Sequence, residues 1–388
     1  MKKIVFILFF LILSLNFMSC KNKSKEAILI TSKGHFLILD ENLNLIKKIQ
    51  KNLDVKALIS EVYGDLILFN LQSSDSFKNN IFLLNLKSEE INNLSKDLEG
   101  TFLYKPKFYN EGNYLFTLRD KNAQESLYLY SLKDNSVKII SKNIKSFYIY
   151  PFYIDNEDDK IYIHLLKKGE KNSKISLYDL NKDEFIENYI SFENHFFITE
   201  PNENGEFILI NYDNLEETKI FIVNLANKLF NEIYSIKDGN IYNISFFDNS
   251  DKILFKFVPF EIGKTSSIII IDRNGNLVKE ILSPFNGDFY ILNSFGNKIF
   301  IMAQKDGDKK FCLYSLNIDN QDLIELTKEN SFGGDLIISK EKEELIISEY
   351  KNNALNKDYF IMNLDWSKEV NLNEKLKIDS IDSIIFLK

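Results

Sequence analysis

The chain repeats itself eight times, and this constrains its fold more than any other feature of its 388 residues. Segments built as an apolar strand, a Leu or Asp, a polar turn and a second strand begin near Phe36, Ile81, Leu127, Ser176, Ile220, Ile268, Phe311 and Tyr359. Their mean spacing of about 46 residues is the length of one four-stranded propeller blade. Further strand pairs precede these hairpins and turn on Asn, Asp or Gly, as in Phe108 to Thr117, Phe196 to Ile210 and Phe246 to Phe255. The repeat therefore predicts an all-β, eight-bladed β-propeller of four-stranded blades. One repeat is a strand short. Only Ala27 to Thr31 precedes the first hairpin, whereas the C-terminus carries a spare strand, Ser380 to Leu387. Pairing of the C-terminal strand in the first blade is expected to close the ring and remove the exposed edges that invite aggregation.

Composition agrees with a packed β protein. Hydrophobic residues make up 45% and charged residues 27%, and 33 Phe and 19 Tyr favour strands over disorder. No linker or shift in composition marks a second globular unit, so residues 27–388 are expected to form one propeller domain.

The N-terminus has the pattern of an export signal. Lys2 and Lys3 precede an apolar run from Ile4 to Phe17, and Ser19 stands directly before Cys20. Residues 1–19 are thus expected to be a cleaved lipoprotein signal peptide, with Cys20 the acylated residue and residues 20–26 a lipidated, lysine-rich tether. Cleavage would leave 46 basic against 56 acidic groups, a net charge of −10 that disfavours nucleic acid as a partner. Cys312, the second of two cysteines, lies in the apolar stretch Phe311-Cys312-Leu313 and fits a buried small hydrophobe better than a reactive thiol.

The succession of strand, Asn/Asp-Gly turn, strand and Leu-Tyr-x-x-x-Leu resembles propellers of the TolB kind over nearly the whole mature chain. With its eight repeats and lipidated start, the chain also resembles the propeller lipoprotein of the outer-membrane β-barrel assembly machinery. That resemblance is architectural. Only fragments such as Asp272 to Gly275 match that family's repeat signature, and Trp366 is the sole tryptophan. It implies an envelope location, with the outer membrane favoured on its periplasmic side or surface, and protein partners drawn from that assembly machinery or its neighbours.

Motifs for chemistry are sparse. Gly263-Lys264-Thr265 ends like a phosphate-binding loop, but Val258 stands where that loop needs its first glycine. Asp272-x-Asn274-Gly275 begins like a calcium loop, yet Ser283 occupies the place of the closing carboxylate, so a hairpin turn fits better. Asp155, Glu157, Asp158 and Asp159 suit a solvated loop better than a cation site, and His35, His164 and His195 fall in three different blades. There is no Gly-x-Ser-x-Gly elbow. From these features no catalytic residue, metal site or cofactor is assigned, and the chain is expected not to be an enzyme.

One loop breaks the pattern of its siblings. Between the second and third strands of blade six stands Val258-Pro259-Phe260-Glu261-Ile262-Gly263, where other blades are almost wholly polar, and Pro284 and Phe285 follow on the same face. Phe260, Ile262 and Phe285 are therefore the candidate partner-binding residues, against the plainer alternative that they fold inward and cap the blade. Two functions stay open: an envelope scaffold that docks a protein partner through one propeller face, which the sequence favours, and a small-ligand binder or enzyme using the central channel.

Overall fold

Ala27–Ser32 pairs on one side with His35–Leu39 and on the other with Ser383–Leu387, so the two ends of the chain share one sheet. In the computed structural model, residues 27–387 are described apart from short stretches, chiefly 51–55, 73–79, 103–105, 192–195, 214–216, 248–250, 305–309, 328–330 and 351–356. The predicted signal peptide, Cys20 and the tether, together with Glu157 and His195, lie outside the described residues. The first blade runs outward from Ser383–Leu387 through Ala27–Ser32 and His35–Leu39 to Leu45–Gln50, which is the expected closure. Seven further antiparallel blades follow in chain order, each starting at the channel and ending at the rim. Blade three departs slightly, because its inner strand is split between Thr101–Phe102 and Lys107–Asn110. A single bridge, Glu125 to Ser146, joins it to blade four.

Among the described residues, eight buried clusters fill the eight gaps between neighbouring blades. The gap between blades one and two holds Leu29, Phe36 and Ile49 against Ala57, Ile67 and Phe69. Each sheet buries both faces, so its middle strands read as apolar runs such as Ile268-Ile269-Ile270-Ile271 rather than as an alternation.

Where the second strand of each blade leaves its core, one position recurs that is polar in seven of the eight blades. The residues after the two buried apolar positions are Thr31, Asn70, Thr117, His164, Asn211, Lys256, Met302 and Ser348. Four of them reach the inner strand of the next blade. Thr31 Oγ1 donates to the Ala57 carbonyl at 2.6 Å, Thr117 Oγ1 to that of Ile149 at 3.3 Å and Lys256 Nζ to that of Phe289 at 2.8 Å, while the His164 ring stacks on Phe196 at 4.4 Å. A second set of ties lies nearer the rim: Lys47 donates to the Leu86 carbonyl at 2.7 Å and Tyr189 to that of Leu225 at 3.2 Å. Lys279 and Lys298 do the same for Ile318 and Leu364. Apolar contact holds the blades together, and these bonds satisfy backbone carbonyls that the gaps would otherwise strand.

Candidate functional site

Besides the split inner strand of blade three, two places depart from the eightfold pattern: the seam where the ring closes, and the loop between the second and third strands of blade six. At the seam, the inner strands of blades eight, one and two border a cavity of about 600 Å³. Its polar lining includes Lys56, Ser60, Asp335, Lys357, Ser380 and Asp382, and its apolar lining includes Leu58, Leu336 and Ile337.

The seam owes its shape to a bulge in blade eight. Along Ser331–Ser339 the pairing jumps from Phe332 opposite Glu349 to Leu336 opposite Ile347, so Gly333-Gly334-Asp335 is looped out of the ladder. Gly333 is required there, because a Cβ would lie 2.5 Å from Ser348 Oγ, and Gly334 has φ +95°. The bulge turns Asp335 toward three donors. Ser348 Oγ, Tyr359 Oη and Lys357 Nζ all donate to its Oδ2, at 2.9, 2.9 and 2.8 Å, and Ser348 Oγ accepts the Asp335 N–H at 3.0 Å. Burial and the adjacent Asp335 carboxylate raise the Tyr359 hydroxyl far above its usual range, so it stays a donor. Among the described residues, the other Asp335 oxygen takes no hydrogen bond. Across the cavity, burial raises Asp382 above the usual carboxylate range despite the Lys33 N–H at 3.0 Å and the nearby Lys56 ammonium. Lys56 is exposed and, among the described residues, forms no ion pair.

Motif reading missed Asp335, Lys357, Tyr359, Lys56 and Asp382. The available signal was the Gly333-Gly334 pair inside a strand, in a chain with only 14 glycines. Glycine within a strand marks a bulge or a close backbone approach, and both occur here.

In blade six, the strand Lys252–Pro259 runs into a loop tied to the connection before the inner strand, with Phe260 N–H donating to the Asp238 carbonyl at 2.9 Å, and closed on itself by Lys264 N–H donating to the Glu261 carbonyl at 3.2 Å. Glu261 and Lys264 pair across the loop at 2.5 Å. Ile262 is fully exposed and Phe260 is 49% exposed. Beside them is a concavity of about 620 Å³ lined by Ile236, Asp238, Phe257, Pro259, Phe260, Glu261 and Lys264. Phe285 does not join them. It is half-buried, with its ring 5.0 Å from Tyr314 and 5.9 Å from Phe289, as part of the core between blades six and seven. The expectation that the three side chains stand exposed together is therefore corrected: the hydroxyl of Ser283 bonds the Phe285 backbone at 3.1 Å and turns its ring inward.

The remaining candidates resolve into structural roles. Asp272 spends one oxygen on the N–H groups of Asn274 and Asn276, at 2.8 and 2.9 Å, in the same turn that Asp40 and Asp120 form in blades one and three. Asp158 pairs with Lys160, and Asp159 accepts from Tyr109. Cys312 is buried, and burial raises its thiol. Among the described residues, no group of three His, Cys, Asp or Glu side chains is placed to hold a metal, and no helix is long and apolar enough to cross a membrane.

No family model and no curated protein matches the chain. Solved structures do match. The β-propeller domain of the Trilobed protease from Pyrococcus furiosus aligns at 13% identity, covering 82% of this chain and 95% of that one, with a TM-score of 0.52. Oligogalacturonate lyase from Vibrio parahaemolyticus aligns at 12% identity over 87% of this chain and 98% of that one, with a TM-score of 0.53. TolB from Acinetobacter baumannii aligns at 16% identity over 67% and 64% with a TM-score of 0.37, too loosely to carry weight. At these identities the likeness shows the fold alone. It also corrects the expectation that the chain is not an enzyme. Two of the propellers it matches belong to a protease and a lyase, and the lyase is matched over nearly its full length, so absence of a hydrolase elbow does not set this chain apart from enzymes.

Proposed function

We propose that this chain is a lipid-anchored envelope protein whose propeller docks a protein partner through the blade-six loop. The observation that carries the reading is the exposure of Ile262 and Phe260 on a loop held by backbone hydrogen bonds, next to a concavity lined in part by Ile236, Phe257 and Pro259. A rigid apolar tip loses little freedom on binding and offers the aromatic anchor that dominates interface energetics. Because Glu261 and Lys264 neutralise each other, the surface suits an apolar polypeptide segment better than a charged one. The anchor is Cys20, on the strength of Lys2, Lys3, the apolar run and Ser19. Components of the β-barrel assembly machinery are the partners that the architectural resemblance suggests.

A Phe260→Ser, Ile262→Ser double variant tests the docking surface. Ile262 is fully in water and Phe260 half so, and neither belongs to a core between blades, so the melting temperature should stay close to the wild type while a protein that co-purifies from native membranes is lost. Retention of every partner would overturn the reading. The anchor has its own test: Cys20→Ser should move the protein from the membrane fraction to the soluble fraction, and unchanged fractionation would exclude acylation at that residue.

A further inference from the structure

Beyond the docking surface, we infer that the seam cavity binds a small zwitterion, a free amino acid or short peptide, with its ammonium on Asp335 and its carboxylate on Lys56. Asp335 is built to accept. Its Oδ2 is fixed by Ser348, Tyr359 and Lys357, which holds the carboxylate in place and leaves Oδ1 open to a further donor. Lys357 is spent on that clamp. Lys56, which enters the cavity from the inner strand of blade two, is the cation left for an anionic group.

The charges narrow the ligand class. Lys56 and Lys357 balance Asp335 and Asp382, so the cavity suits a ligand with no net charge that carries one group of each sign. A simple anion would meet the open oxygen of Asp335, and a simple amine would meet Lys56. Among the described residues a sugar would find no aromatic platform, since Tyr359 is the aromatic residue of the lining and is 2% exposed. Leu58, Leu336 and Ile337 supply apolar lining for the ligand's side chains. The volume of about 600 Å³ falls within the range of pockets for small ligands, roughly 300–1,000 Å³. The bulge explains why this happens at one seam: Gly333 and Gly334 let the backbone swing Asp335 off the ladder.

Calorimetry on the full chain with trialanine, N-acetyl-trialanine and trialanine amide tests the assignment. Trialanine should bind, and blocking either end should weaken binding by about tenfold, the size of a lost charge-assisted bond. Lys56→Gln, a change at an exposed side chain, should weaken trialanine about tenfold and leave the amide unaffected. Asp335→Asn should erase the preference for a free N-terminus. No heat with trialanine, equal binding of the three peptides, or a Lys56→Gln variant that binds like wild type would each overturn the assignment. Because none of these measurements involves Phe260 or Ile262, the outcome is independent of the docking reading.

Discussion

The seam and blade six depart from the same repeat by opposite means. In blade six four continuous strands carry only a one-residue bulge between Tyr242 and Ser245, of the kind other inner strands also show, and the departure lies in residue type: Phe260 and Ile262 stand where other blades carry polar side chains. At the seam the residue types are ordinary and the backbone departs. A two-glycine bulge moves Asp335 out of register, and the inner strand of blade one comes from the far end of the chain. An anomaly of composition faces outward, where it costs the fold little. An anomaly of backbone faces the channel, where neighbouring strands must compensate for it. The regular interblade ties run through both regions, with Thr31 bonding blade two at the seam and Lys256 bonding blade seven beside the loop. The departures are therefore additions to a common frame.

If that contrast is right, damage at the seam should be felt by the whole ring and damage at the loop should not. The largest effect is expected from deleting Ile384 to Lys388. This strips the inner strand from Ala27–Ser32, removes Ile384 from the core between blades eight and one, and opens an edge. A loss of about 3 kcal/mol or more, or outright aggregation, should follow, read as a fall in melting temperature and a polydisperse sizing profile. A truncated protein that melts and elutes like wild type would show that the ring does not depend on its closing strand.

Gly333→Ala should come next. Its new methyl would press on Ser348, whose hydroxyl holds Asp335 by two hydrogen bonds, for a cost of about 1–3 kcal/mol. The corresponding shift in denaturant midpoint checks it. A neutral substitution would mean that the bulge yields freely and does not hold Asp335 in place.

The smallest effect is expected at Asp382, and it should depend on pH. Burial raises its folded-state carboxyl above the usual range, so the folded protein holds this proton more tightly than the unfolded chain. Stability from this group is therefore full below the unfolded value, near about 3.9, and is lost as pH rises through the raised folded value. Asp382→Asn removes the titration. The variant should be more stable than wild type at pH 7, and the difference should vanish below about pH 4. Thermal melts of both proteins across that range decide it, and a gap that does not change with pH would place the group in an environment no different from water.

Much of the fold was legible in the sequence because propeller repeats are local. Each outer hairpin declares itself by an apolar run and a turn, as in the Asp272 turn of blade six, and a missing strand at one end with a spare at the other leaves one way to close the ring. The loop of blade six was legible for the same reason, since comparison with sibling blades exposes it. Phe285 was misplaced because its sequence position puts it on the right face without saying which way its ring points. Two bonds from Ser283 and the aromatic neighbours Tyr314 and Phe289 settle that.

By itself, the sequence determined the number of blades, their strand content and the strand that closes the ring, because backbone pairing and burial are written into short-range patterns of apolar and turn residues. Only the tertiary structure decided the seam. Lys56, Asp335, Lys357 and Asp382 are separated by up to 326 positions in the chain, and no local pattern links them. They meet because the ring brings blades eight, one and two together, and because a glycine bulge there frees one carboxylate from the regular ladder.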